Sequence, residues 1–333
     1  MPQSDASDGN LPDDRQAPTA LSAMIIWQRT EVEYDSGSQP RIAINDTGGV
    51  LEIGEVLEIH VGADTGENLW YNLGFLETDY TVTWDKHKEF GGTYTRPAIS
   101  LNDNGYAVAL EGDNDLTLRY RVAKTDADKM WGPAKTYAEE GLNPAVALNN
   151  NGIVVEVEEG KNKLCYRVGK LDGDNREITG LDNPIELYEG NKPSVTINDG
   201  GVVILAYEYK VRTPMETYDV LRYSIGQLQP DNTTIVWQPW SEYDESGVNP
   251  SVAINDSGVV AQINQSSDYT LWCRVGKVND EKTAVVWSDR QPYNYTGEEP
   301  MISINLQNTV IAAYKKSDSH KLMYCSGTAY INQ

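Results

Sequence analysis

Asn249-Pro250-Ser251-Val252-Ala253-Ile254-Asn255-Asp256-Ser257-Gly258-Val259-Val260 decides the fold, because the chain writes this stretch six times. The other copies open at Gln39-Pro40, Arg96-Pro97, Asn143-Pro144, Lys192-Pro193 and Glu299-Pro300. Successive prolines stand 57, 47, 49, 57 and 50 residues apart. A period near fifty built from short alternating apolar runs predicts a β-propeller, one blade per repeat.

Working outward from Asn249, Ser251 to Ile254 reads as a first strand. Asn255-Asp256-Ser257-Gly258 reads as a turn, since Asn and Asp tolerate left-handed backbone and Gly supplies positive φ. Val259 to Asn264 is a second strand. Leu271-Trp272-Cys273-Arg274-Val275-Gly276 is a third, with the period of two expected of a strand. Thr283 to Ser288 begins a fourth. Four antiparallel strands in sequence make a blade. The fourth strand carries Trp, an aromatic six or seven residues later, then Gly, as in Trp84 with Phe90, Trp131 with Tyr137 and Trp287 with Tyr293. A Trp that recurs at one repeat column points to packing between blades.

The last repeat ends after its third strand, and the missing motif stands at the other end of the chain as Trp27, Tyr34 and Gly37. This offset predicts that residues near Met24–Tyr34 lie alongside Lys321–Ser326, completing the last blade and closing a six-bladed ring without open edges. The expected organisation is an acidic, polar tail over residues 1–20, without a packed core, and one propeller over 21–333. Insertions fall at Leu51 to Val56 and at Lys210 to Tyr218.

The chain of 333 residues carries a net charge of −23, from 50 acidic and 27 basic residues. Such a surface repels phosphates and anionic headgroups, so neither nucleic acid nor a membrane surface is an expected partner. No apolar run of membrane-spanning length occurs. The first twenty residues have no basic start followed by an apolar stretch, so no signal peptide is read. The expectation is a soluble protein, with secretion left open. Cys165, Cys273 and Cys325 occupy three different repeat columns, an odd set with no metal spacing. His60, His87 and His320 are likewise scattered. No metal or cofactor is expected, and no Walker loop, nucleophile elbow or dinucleotide fingerprint appears.

Two columns vary in polar character and draw the site expectation. Aligned on the turn glycine, the second strand carries His60, Glu111, Glu158, Tyr207, Asn264 and Tyr314. Two residues earlier stand Glu58 and Glu156, so that paired carboxylates such as Glu156 and Glu158 share a strand face. In the third strand, Trp70, Arg119, Arg222 and Trp272 share one column. A position that accepts both Trp and Arg is expected to face a groove, where ring and guanidinium hold a sugar's apolar face and hydroxyls.

The repeat Asn-Pro-Ser-Val-Ala-Ile-Asn-Asp-Ser-Gly-Val-Val, followed by Leu-Trp-Cys-Arg-Val-Gly, resembles bacterial lectin-like β-propeller repeats over about residues 21–333. That resemblance implies sugar pockets between adjacent blades and avidity from several of them. The leading expectation is therefore a non-catalytic, multivalent glycan-binding propeller. Two alternatives stand beside it: a scaffold that docks a protein partner, selected by charge, and a hydrolase or lyase acting on a polysaccharide in a central funnel built from Glu58, Glu156 or Glu158.

Overall fold

A computed structural model describes residues 21–48, 51–63, 68–93, 95–113, 115–127, 129–161, 163–244 and 246–332. The expected tail over residues 1–20 lies outside them. The described residues form 25 strands and no helix, and every pairing is antiparallel. Among the described residues, no helix is long and apolar enough to cross a membrane.

The Asn249 repeat shows the common plan. Gly247–Ile254 pairs with Val259–Ser266, which pairs with Thr270–Val278, which in turn pairs with Val285–Trp287 and with the start of Gln291–Ile304. Gly276 stands opposite Trp287, and a Cβ there would come within 2.7 Å of the indole ring. The third-strand glycine is thus the seat of the fourth-strand Trp. That Trp then reaches the preceding repeat: Trp287 meets Tyr223 edge-on at 5.6 Å between ring centroids, and Trp237 meets Tyr166 at 5.8 Å.

The turn reading of Asn-Asp-x-Gly holds in atomic detail. Asn255 Oδ1 accepts from Val259 N at 3.0 Å, closing its own hairpin, while its Nδ2 donates to the Asn305 carbonyl in the next repeat at 2.9 Å. The side chain is buried and meets both halves of its hydrogen-bonding demand. The same relay runs from Asn45 to Asn102, Asn149, Asn198 and Asn255. Beside it, the backbone N–H of Leu306 donates to the carboxylate of Asp46 at 3.0 Å.

The first strand, Ala23–Ile44, serves two sheets. Ala23 to Ser36 pairs with Lys321–Ile331, and Gly37 to Ile44 pairs with Glu52–Gly62. Six apolar clusters each join two successive repeats, and one of them packs Ile311, Ala313 and Tyr324 against Ile42, Ile44 and Val56. The Lys210–Tyr218 insertion is a longer hairpin, paired out to Arg212 opposite Thr217.

Candidate functional site

The expected site residues do not converge. His60, Glu111, Glu158, Tyr207, Asn264, Tyr314 and Arg222 are buried, whereas Trp70, Arg119 and Trp272 are half-buried. Most are engaged within or beside their own repeat, whereas the hydroxyls of Tyr207 and Tyr314 and one oxygen of Glu158 are buried without a hydrogen-bond partner among the described residues. Arg167 bridges Glu156 and Glu158 at 2.8 and 2.9 Å, and Tyr137 of the preceding repeat donates to Glu156. Burial, then the charge of Glu158, pushes Glu156 up to about 8. Burial pushes Glu111 up to about 7 against the opposing pull of Arg121. His60 Nδ1 lies 3.0 Å from Glu58, which also accepts from Tyr34 and Asn72. Burial lowers the affinity of His60 for a proton, yet Glu58 and Asp35 outweigh it and leave the imidazole above its usual value.

The third-strand column is engaged in local ring, cation and ion-pair contacts. Arg222 sits between Tyr209 and Trp240, 3.4 and 3.6 Å from their ring centroids. Arg290 lies 4.5 Å over Trp272, Trp70 meets His87 at a tilt with ring centroids 4.8 Å apart, and Arg119 pairs with Asp113. The physical reason for the difference is that stacked repeats bury both faces of the second strand. An alternating pattern identifies two faces, but here neither is open.

A cavity of about 270 Å³ opens instead at the pre-proline end of the repeats. It is lined by residues from all six motifs, including Gln39, Arg96, Asn143, Lys192, Asn249 and Glu299. These six immediately precede the motif prolines, and all have positive φ, between 45° and 56°. Both the Cβ and the following proline disfavour this geometry, at a cost of about 1–3 kcal/mol per residue. The surroundings hold it in place. Gln39 N donates to Glu299, Arg96 N to Gln39, Lys192 N to Glu159, Asn249 N to Glu208 and Glu299 N to Gln265. The acceptors Glu159, Glu208 and Gln265 stand one residue beyond the polar column singled out above. The available sequence signal was the varied polar residue before an otherwise uniform Pro.

The cavity wall carries Arg41, Arg96 and Lys192 as cations and Glu298 and Glu299 as carboxylates, with Tyr269 at its edge, half in solvent. Glu58, Glu156 and Glu158, expected in a central funnel, are not on this wall; they lie between repeats, fixed by His60 and Arg167. Burial lowers the pKa of Arg41, partly offset by Glu299. Among the described residues, no grouping of His, Cys, Asp and Glu is suited to a metal ion.

Comparison with known proteins shows the fold. No family model and no curated protein sequence matches this chain. Among solved structures, the chain is similar to a protein of unknown function from Dyadobacter fermentans (12% identity, TM-score 0.59, 94% of this chain and 99% of that one). It is also similar to the NanB sialidase of Streptococcus pneumoniae (11%, 0.60, 96% and 72%) and to a periplasmic gluconolactonase of Pseudomonas aeruginosa (11%, 0.55, 89% and 88%). The chain therefore has an all-β, propeller-type architecture. The lectin expectation is overturned: the similar structures named above that carry an activity are enzymes, and the second-strand polar column meant to hold sugar is sealed inside the protein.

Proposed function

We propose that the six repeats form a six-bladed propeller over residues 21–333, its ring completed by the N-terminal strand, and that it is an enzyme cleaving glycosidic bonds in a polysaccharide. Support for the ring comes from the asparagine relay along the repeats, from the Leu306–Asp46 contact and from the Ala23–Ser36 pairing with the last strand. Support for catalysis comes from fold neighbours that include a sialidase and a gluconolactonase.

The observation that carries the enzymatic reading is the cavity wall, where Glu298 and Glu299 share a space lined by all six repeats with Arg41, Arg96 and Lys192. Glycosidic cleavage uses a carboxyl to donate a proton to the leaving oxygen and a carboxylate to act as base or nucleophile. Glu299 fits the ionised role, since it accepts from Gln39 N and lies within the field of Arg41. Incubating the chain with a panel of neutral and acidic polysaccharides, and measuring released reducing ends, tests this. Glu299→Gln should lower cleavage by roughly a hundredfold or more, in the range expected for loss of an acid–base group. Full activity in that variant, or no release from any polysaccharide, would refute the proposal.

A further inference from the structure

Resting on that reading, we infer that the substrate is an acidic saccharide, its carboxylate or sulfate group held by Arg41, Arg96 and Lys192. The cavity wall inverts the character of the molecule. A chain with a net charge of −23 places three cations and two carboxylates around this one opening.

The local charge accounting leaves cations over. Glu298 is engaged by Lys315 at 2.9 Å, outside the wall. Lys192 shares Glu208 at 3.3 Å and is itself 45% exposed. That leaves Glu299 as the wall carboxylate whose charge is felt by Arg41. Arg41 is depressed by burial despite Glu299, the signature of a guanidinium short of compensating charge. Nη1 of Arg96 is buried and has no hydrogen-bond partner among the described residues. A buried donor without an acceptor costs about 1–3 kcal/mol, more when it is charged. An arriving carboxylate or sulfate offers paired oxygens to whatever edge of a guanidinium fork faces the cavity. A neutral sugar offers only hydroxyls.

The net charge sharpens the selection. At long range the acidic surface repels a polyanion, so attraction acts only inside the cavity. Screening by salt then weakens the repulsion more than the close contacts.

The test uses the full chain with three probes: an oligogalacturonate for carboxylate, a chondroitin sulfate oligosaccharide for sulfate, and a neutral xylo-oligosaccharide. Cleavage and calorimetric binding are both read. The acidic probes, or one of them, should be cleaved in preference to the neutral one. Arg96→Gln should raise KM for that probe by about tenfold or more, as for a close charge contact removed, with Arg96→Lys recovering part of the loss. Lys192→Gln, an exposed position, supplies a second variant with little bearing on folding and should act in the same direction. Cleavage confined to the neutral probe would overturn this inference and leave the enzymatic reading standing. If nothing is cleaved, the enzymatic reading falls and binding decides: binding of an acidic probe that weakens in Arg96→Gln upholds the anion assignment, and its absence overturns it.

Discussion

The interfaces that precede the third and sixth repeats use the same positions for opposite chemistry. At the third, Tyr137 of one repeat meets Glu156, Glu158 and Arg167 of the next. At the sixth, Tyr293 meets Tyr314 at 5.8 Å between ring centroids, with Ala312 and Cys325 at the positions of Glu156 and Arg167. Tyr137 is half-buried, and the other members of both sets are almost wholly buried. The backbone registers match, Glu156 opposite Arg167 and Ala312 opposite Cys325. The repeat scaffold therefore does not require charge here. It requires that an aromatic from the preceding outer strand be met by whatever completes its surroundings. A polar column in one repeat and an apolar one in another is the mark of interface packing, and a ligand groove would not be so readily sealed.

The largest expected effect comes from breaking the charged interface. Arg167→Met leaves Glu158 buried without its cation and should cost about 3–5 kcal/mol, the usual penalty for an orphaned buried charge. Moving the whole apolar set across, as Glu156→Ala, Glu158→Tyr and Arg167→Cys together, should recover most of that loss. Denaturant unfolding of the single and triple variants measures both. A triple variant no more stable than the single one would show that the two interfaces are not exchangeable.

Acidity separates the interfaces next. In the folded chain Glu156 holds its proton up to about 8, whereas an unfolded glutamate releases it near pH 4.5. The folded state binds the extra proton between those values, so stability falls as pH rises through that window, by at most about 1.4 kcal/mol per pH unit for each such proton. His60 acts in the same direction, since its raised value lends stability that is lost as pH climbs through it. The sixth interface holds Tyr314 and Cys325, whose buried groups are shifted up, away from this range. Melting temperature should therefore fall from pH 5 to pH 9, and Glu156→Gln should flatten the curve. An equal slope in wild type and variant would remove Glu156 from the account.

How much of this was readable beforehand follows from what one repeat can reveal. Pro250, Asn255-Asp256-Ser257-Gly258 and Trp287 announce turns and strand order because local backbone chemistry dictates them. The offset of Trp27 and Tyr34 led to the observed pairing of Ala23–Ser36 with Lys321–Ile331. Glu158 and Asn264 misled, because alternation cannot distinguish a face turned to solvent from one turned to the next repeat. Arg96 and Glu299 went unnoticed for a different reason. A residue before proline ordinarily adopts extended backbone, so the varied polar residue before a uniform Pro gives no sign that its backbone is left-handed or that it faces a shared cavity.

A smaller effect compares two copies of the turn. Asn255 closes its hairpin and also donates to Asn305, whereas Nδ2 of Asn305 is buried without a partner. Asn255→Ala should cost about 1–3 kcal/mol, through a buried carbonyl and N–H left unmet. Asn305→Ala loses only the bond from Thr309 and should cost less. Equal losses would mean that the inter-repeat bond contributes nothing.

The smallest effect isolates burial from distance. Lys163 meets Glu186 at 2.8 Å, the same separation as Arg167 and Glu156 in the same repeat. The side chains of the first pair are 46% and 70% exposed, those of the second 4% and 0%. In solvent the Coulomb gain is screened and offset by the entropy of holding a long side chain, so such pairs contribute about 0–1 kcal/mol. Lys163→Ala should leave unfolding within about 0.5 kcal/mol of wild type, as for ordinary surface changes. If it proved as damaging as Arg167→Met, contact length rather than desolvation would govern these ion pairs, and the contrast between the charged and apolar interfaces would lose its basis.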